Sequence, residues 1–147
     1  MTDTIPLQVK AGLVALIDAN PAIHRAYLNR DRPVGENETE RGPIAIVRQV
    51  AVRSTTDNQM TLPLSMQIRV SVYVQTQALG PSVDEITDPI WQAINGIMHG
   101  ASRALPGVQG VQFLAHELDP EGDAGRMDLF YNFMLRVYQL DLTQPTS

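Results

Sequence analysis

The histidines are the first side chains of this chain to test for catalysis or metal binding. His24, His99 and His116 fall in a predicted loop, a predicted helix and a predicted strand, respectively. None of them has an H-x-x-x-H partner, the spacing that places two zinc ligands on one face of a helix. We therefore interpret all three as ordinary surface or core histidines, and we expect neither a metal site nor a cofactor.

The carboxylates form two groups that resemble chemical sites. The run from Asp119 begins like a calcium loop, but its sixth position is Ala124 where such a loop has Gly, and its twelfth is Phe130 where it has Glu. A second group crowds the start of a predicted helix, where the macrodipole favours negative charge; its members are Asp84, Glu85 and Asp88. We interpret the first group as a solvated turn and the second as helix-end electrostatics.

Other catalytic signatures are missing from the sequence. The chain has no cysteine, which excludes disulfides, thiolate metal sites and cysteine nucleophiles. It also contains no G-x-S-x-G motif and no P-loop. These observations predict that the protein is not an enzyme.

Composition and charge narrow the class of protein further. The 147 residues predict a single domain over 1–147, with an ordered core at about 5–142. The net charge of −5 and the lack of a cluster of basic residues argue against tight nucleic-acid binding. No apolar run reaches about 18 residues and the N-terminus is acidic, so we expect neither a membrane span nor a signal peptide.

One long alternating segment is the most informative element of the sequence. Over residues 62–74 apolar side chains alternate with mostly polar ones, which predicts a strand with one apolar face and one polar face. Thirteen residues reach roughly 43 Å at about 3.3 Å per residue. A small protein rarely needs so long a strand for its own core, and the polar face carries Arg69 and Tyr73. We therefore hypothesise that this strand belongs to a subunit of an assembly.

Helices and turns surround this strand. Apolar residues at helical spacing predict a helix over 5–19 and a second over about 82–105. Pro89 lies inside the second pattern, so that helix either kinks there or restarts. Gly96 and Gly100 predict close packing of that helix on the sheet. The segment 20–42 is polar and irregular; we interpret it as a solvated loop, or else as a segment that becomes ordered only against a neighbouring subunit.

Three further strands complete the pattern. The strand over 43–53 would form a hairpin with the long strand, with Ile44, Ile46, Val50 and Val52 on one face. A shorter strand follows over 108–118, in which Val111, Phe113 and Ala115 alternate. The last strand, 126–142, is apolar on both faces and is therefore predicted to be central or covered on both sides. The order α-β-β-α-β-β predicts an α+β fold, with an antiparallel or mixed sheet, a long hairpin and two main helices.

The order and spacing of these elements resemble a known family over about residues 5–142. The features that carry the resemblance are a tryptophan in the second helix, a Gly-Asp-Ala-Gly turn, and the sequences of three strands. They are Trp91, Gly122–Gly125, Ile44–Ile46, Met66–Val74 and Val137–Leu140. In these respects the chain is similar to the minor tail protein U family of long-tailed bacteriophages, the tail terminators.

The resemblance implies a structural role. Such a protein would form a homo-hexameric ring that caps the tail tube, stops its polymerisation and offers a surface to the head-tail connector. It would act at the head-proximal end of the virion tail, after assembly in the cytoplasm of the host bacterium. DNA would pass through the lumen of the ring without specific binding, which agrees with the acidic balance of this chain.

Candidate contact residues follow from the polar strand faces and from one loop. In a ring closed by heterologous contacts each subunit uses two different patches, and the candidates are Arg69, Tyr73, Arg136, Tyr138, Glu36, Glu38, Glu40 and Arg41. Two alternative functions stay open at this point. The protein could be a neck or tail-completion protein bound to the connector, or, in a different class, a small cytosolic ligand-binding α+β domain.

Overall fold

The fold places two helices on one side of a five-stranded sheet. A computed structural model describes residues 5–30, 36–39, 42–54, 63–75, 83–105, 107–119 and 126–138. The helical segments are α1 (Ile5–Asp18), the single turn α2 (Glu36–Thr39) and α3 (Val83–Ala104). The strands are β1 (Arg25–Leu28), β2 (Ile44–Ser54), β3 (Pro63–Gln75), β4 (Val108–Asp119) and β5 (Arg126–Tyr138).

The sheet is mixed, and its strand order is β1-β2-β3-β5-β4. β1 runs parallel to β2, and every other neighbouring pair is antiparallel. The α+β class and the long β2-β3 hairpin predicted from the sequence are therefore confirmed. The interior position predicted for the last strand is also confirmed, because β5 lies between β3 and β4.

The main core forms where α1 and α3 cover one face of this sheet. Alternate residues of β3 and β5 point to it, and in each helix the buried residues recur about every fourth position, as one helical stripe requires. The helical members are Val9, Leu13, Ile17, Ile90, Ile94, Met98 and Ala101. The long strands contribute Met66, Ile68, Val70, Val72, Met127, Leu129, Tyr131, Phe133, Leu135 and Val137.

The proline and the glycines of α3 do not have the effects predicted from the sequence. α3 is one continuous helix that contains Pro89, so the predicted restart is wrong. The predicted packing of Gly96 and Gly100 on the sheet is also wrong, because a Cβ at either position would have nothing within 4 Å. The close approach is at Gly12 of α1 instead, where a Cβ would clash with Cδ2 of Leu105.

The segment predicted to be irregular contains structure of its own. β1 adds a fifth strand, and the Oδ1 of Asp18 accepts a hydrogen bond of 2.9 Å from the backbone N–H of Ala26. Burial of Ile23 and Ala26 holds this short strand against the core. The prediction of a solvated loop over 20–42 is therefore wrong at 25–28 and at 36–39.

The first four residues of β2 are buried on both faces, which the sequence did not indicate. Ala45 and Val47 join the main core, whereas Ile44 and Ile46 form a second cluster on the opposite face. The predicted apolar face fails at Val50, because the register with β3 shifts between Gln49 and Ala51 and leaves Val50 49% exposed.

Candidate assembly interface

Three predicted contact residues of the two long strands lie on one face of the sheet. We call the face opposite α1 and α3 the outer face. Cross-strand pairing places Arg69 opposite Asn132, Tyr73 opposite Asp128, and Ser65 opposite Arg136. Tyr138 ends β5, but its side chain is outside the described set. The structure therefore brings Arg69, Tyr73 and Arg136 together on one surface.

One half of the outer face is covered by the chain itself. The buried side chains of Ile44 and Ile46 pack there against Tyr27 and Tyr73. The turn α2 contacts β3 beside them, and Thr39 is buried. This half is closed by a small apolar cluster and a single helical turn.

A salt bridge fastens α2 to this half. Both guanidinium Nη atoms of Arg30 donate to the carboxylate of Glu38, and the Nη1–Oε2 distance is 2.6 Å. The Arg30 side chain is 6% exposed, and its Cζ lies 4.9 Å from the centre of the Tyr27 ring. The hydrogen bond from Glu38 raises the pKa of Arg30, although burial opposes this. Glu38 therefore has a role inside the subunit.

The other loop candidates are placed less fully. Glu36 opens α2, but its side chain is outside the described set, and Glu40 and Arg41 lie outside the described residues altogether. The Gly122–Gly125 turn and the tail after Tyr138 also lie outside them.

Arginines line the open half of the outer face. The Nε of Arg69 donates to the Oδ1 of Asn132 at 3.0 Å, and its Cζ lies 5.5 Å from the centre of the Phe130 ring. Arg48 is directly opposite Arg69, and its Nη2 donates to the backbone carbonyl of Arg30 at 2.9 Å. Two like charges facing each other across a strand pair repel, and here neither guanidinium is neutralised by a carboxylate of the described residues.

Arg136 is the most available of these cations. It is exposed, and it forms no hydrogen bond or ion pair within the described part of the chain. With Met134 and Gln112 it borders a depression of about 330 Å³ at the β4 side of the outer face. This half of the outer face thus combines partly buried apolar groups with unneutralised positive charge, a composition typical of interfaces.

A stack of aromatic rings on the helix side was not predicted from the sequence. The ring of His116 is stacked on Tyr131, with centroids 4.6 Å apart and 12° between planes. Trp91 of α3 is stacked near both, at 5.8 Å from His116 and 5.6 Å from Tyr131. Phe113 meets the Trp91 ring edge-on at 5.1 Å. Trp91 was singled out in the sequence, but these partners were not.

A β-bulge explains why His116 reaches this stack. In a regular strand Phe113 and His116, three residues apart, would point to opposite faces. The register with β5 shifts between Phe113 and Ala115, so Phe113 pairs with Phe133 and His116 pairs with Tyr131. Both therefore lie on the helix side, and the predicted alternation that grouped Ala115 with Phe113 is wrong.

An open groove of about 560 Å³ runs beside this stack, at the first turns of α3. We call it the Trp91 groove; its lining residues are Glu85, Thr87, Asp88, Pro89, Trp91 and His116. The Oδ2 of Asp88 accepts a hydrogen bond of 2.7 Å from the Nε2 of Gln92. Burial lowers the pKa of His116, which favours the neutral imidazole. The groove therefore offers two carboxylates and two aromatic surfaces.

Tyr131 lies beneath the groove with its hydroxyl unsatisfied. The residue is fully buried, and among the described residues its hydroxyl oxygen has no hydrogen-bond partner. Burial raises the pKa of Tyr131 far above its usual value. A buried polar group without a partner is uncommon in a folded protein.

The three histidines are not assembled into a site. His24 precedes β1, His99 lies on α3 and His116 lies on β4. Within the described residues, no group of three or more His, Cys, Asp or Glu side chains could hold a metal ion. None of the helices in the described part of the chain combines the length and apolar character needed to cross a bilayer.

Comparison with known proteins gives a similarity in fold but none in sequence family. No family model matches the sequence, and no curated protein matches it. The fold is similar to that of a chain in the virion of a native gene transfer agent particle, with a TM-score of 0.62 and 14% sequence identity. The match covers 93% of this chain and 99% of the other. At this identity the comparison shows a common fold.

Proposed function

We propose that this chain is a structural protein of a phage-like virion, and that it forms a hexameric ring at the head-proximal end of the tail. In this role residues 1–147 act as one domain, the ring caps the tail tube and stops its polymerisation, and its other end joins the head connector. The observation that carries the proposal is the fold shared with a virion chain over nearly the whole length of both.

The distribution of charge supports assembly into a ring. The open half of the outer face carries Arg48, Arg69 and Arg136, whereas the Trp91 groove on the other side of the sheet contains Glu85 and Asp88. Different, complementary patches on opposite sides of a subunit can join copies head to tail, and such contacts close into a ring when the rotation allows it.

The same distribution is compatible with passage of DNA through the ring. The chain carries a net charge of −5. If the arginines are covered by neighbouring subunits, the remaining surface is predominantly acidic and does not retain the duplex. The proposed partners are therefore other copies, the tail tube protein and the connector.

The predicted contact residues divide into two groups under this proposal. Arg69, Tyr73 and Arg136 would meet a neighbour through the outer face, and Tyr138 would join them from the end of β5. Glu36, Glu40 and Arg41 would extend the contact from the region of α2. Glu38 would act by holding α2 in place through Arg30.

The first test is the oligomeric state of the purified chain. We expect light scattering to show a hexamer, alone or on addition of tail tube protein, and electron microscopy to show a six-fold ring. A chain that stays monomeric even with tube protein overturns the proposal. A small molecule retained in stoichiometric amount by a monomer would support the ligand-binding alternative instead.

The second test separates a terminator from a neck protein. Deletion of the gene should give particles with overlong tails, because nothing then halts tube growth. Tails of normal length that are detached from heads would instead indicate a tail-completion protein. Complementation with Arg136→Glu, compared with Arg103→Glu as a matched charge reversal at the exposed end of α3, would test the outer face.

A further inference from the structure

We infer that the Trp91 groove is the receptor for the outer-face arginine of a second copy of this chain, with Arg136 as the inserted side chain. The inference rests on the proposed ring and identifies the two surfaces that meet at each junction.

The chemistry of the groove selects a guanidinium. An arginine is planar and always charged, so it can lie on an aromatic face while its N–H groups donate to carboxylates. The Trp91 groove provides the indole face, and the carboxylates of Glu85 and Asp88 border the same space. Its open volume of about 560 Å³ accommodates one long side chain together with surrounding atoms.

The aromatic stack provides a second, independent indication of a contact. Trp91 is half-buried, and Phe113 and Leu114 on the neighbouring strand are 39% and 38% exposed. Tyr131, packed against both aromatic residues of the groove, has a buried hydroxyl with no partner among the described residues. Exposed apolar side chains beside an open groove are expected at a surface that another protein covers.

Arg136 is the best donor among the three outer-face arginines. Arg69 is held by Asn132 and rests on Phe130, and Arg48 is held by the carbonyl of Arg30. Arg136 has no such partner in the described part of the chain, and it is exposed. It is therefore free to leave its own subunit surface without breaking a contact.

The placement of the two surfaces determines the geometry of the assembly. The groove lies on the helix side of β4, and Arg136 points from β5 to the outer face. One copy therefore presents its groove to the outer face of the next, and this arrangement repeats around a ring. A second copy is the occupant that the charge complementarity favours.

Charge reversal on either side tests the contact. Asp88→Arg and Arg136→Glu should each weaken self-association, with the dissociation constant per junction rising at least about tenfold. Arg103→Glu, a matched reversal about 22 Å along α3 from Asp88 at ~1.5 Å per residue, should leave it unchanged. Asp88→Arg also removes the Gln92 hydrogen bond, so Arg136→Glu on β5, which breaks no hydrogen bond or ion pair of the described residues, guards against a folding artefact.

Mixing the two variants gives the decisive measurement. A head-to-tail ring that alternates Asp88→Arg and Arg136→Glu subunits has complementary charges at every junction, so an equimolar mixture should regain the wild-type assembly. Each variant alone should remain dissociated at the same total concentration. Sedimentation or light scattering measures both.

The single tryptophan provides an occupancy signal. Emission from Trp91 should change when wild-type chains assemble and should stay at its monomer value in Arg136→Glu. Wild-type rings whose Trp91 emission does not change, or single variants that assemble like wild type, would overturn this inference and leave the proposed ring standing. A wild-type chain that stays monomeric, or that binds only tube protein, overturns the inference as well.

Discussion

The two faces of the sheet are built from the same strands and differ in how far the chain covers its own surface. Along β5 the residues that point to α1 and α3 are fully buried, from Met127 to Val137. The residues between them include half-buried Phe130 and Met134 and exposed Arg136. One face is closed by folding, and the other retains apolar and charged groups that a partner can use.

The outer face shows the same contrast within itself. Its β1-β2 half is closed by Tyr27, Ile44 and Ile46 and fastened by the Arg30–Glu38 pair. In its β3-β5 half Arg69 is held only by an amide and an aromatic ring, and Arg136 has no partner among the described residues. Local ion pairing therefore stabilises the subunit in one half, whereas the arginines of the other half have no carboxylate partner among the described residues.

Truncation of two adjacent residues of β5 should give the largest difference in stability between the two faces. Phe133→Ala should reduce the free energy of unfolding by about 3–5 kcal/mol, because it leaves a cavity under the helices. Met134→Ala, next to it on the outer face, should cost about 1 kcal/mol or less, since that side chain is only half-buried. Urea denaturation of the monomeric chain measures both, and equal losses would show that the outer face is packed as firmly as the core.

The Arg30–Glu38 pair gives the next effect, on the covered half of the outer face. Arg30→Ala should lower the free energy of unfolding by about 2 kcal/mol, below the usual cost of breaking a fully buried pair because the Glu38 side chain is 29% exposed. The double variant with Glu38→Ala should cost less than the sum of the two singles. Lys10→Ala, which removes an exposed hydrogen bond to Gln49, serves as the control and should change stability by less than about 0.5 kcal/mol. Additive losses would mean that the pair is not formed in solution.

Hydrophobic periodicity predicted those elements in which a single repeat, alternating or helical, extends over the whole segment. β3 spans Pro63–Gln75, close to the predicted alternating run, and α1 and α3 coincide with the apolar stripes. β1 was missed because its four residues show no repeated pattern. Its position depends on pairing with β2, which local sequence does not reveal. The opposite charges of Arg30 and Glu38, eight residues apart in a segment of mixed charge, were the available signal for α2.

The candidate site was predictable on one side of the sheet only. Alternation was enough to group Arg69 with Tyr73 and to assign Arg136 to a polar face, because β3 and β5 pair without a register shift. The Trp91 groove depends on the bulge before Ala115, which reverses the orientation expected for His116. A bulge is set by how two strands pair and by how the helix packs on them, so single-strand alternation misassigns every residue after it.

Removal of a tyrosine hydroxyl should change the free energy of unfolding differently on the two faces of the sheet. Tyr131→Phe should keep or raise the free energy of unfolding, by up to about 1 kcal/mol, because it deletes a buried polar group that has no partner among the described residues. Tyr73→Phe on the outer face, where the hydroxyl is near Arg30, should give no such gain. Thermal unfolding followed by circular dichroism measures both. A loss of more than about 1 kcal/mol for Tyr131→Phe would mean that the hydroxyl is hydrogen-bonded in solution.

Acidification should have the smallest effect on the free energy of unfolding, and it should act through His116 on the groove side of the sheet. Burial lowers the pKa of His116 below 6.5, so between its folded pKa and 6.5 the unfolded chain binds more protons than the folded one. The contribution of neutral His116 to the free energy of unfolding is therefore fully present above pH 6.5. It is lost as the pH falls towards the folded pKa. His116→Gln should remove this part of the pH dependence, as seen in unfolding midpoints between pH 7 and pH 5.

The carboxylates of the Trp91 groove should not alter this pH dependence. Glu85 and Asp88 border the same space as His116, but burial is the cause of its lowered pKa. Asp88→Asn should therefore leave the fall in stability with acidification unchanged, whereas His116→Gln in that background should flatten it. Arg69→Gln on the outer face should leave the slope unchanged, because arginine keeps its charge throughout this range. A slope that responds to Arg69→Gln as strongly as to His116→Gln would show that the two faces are coupled through the sheet.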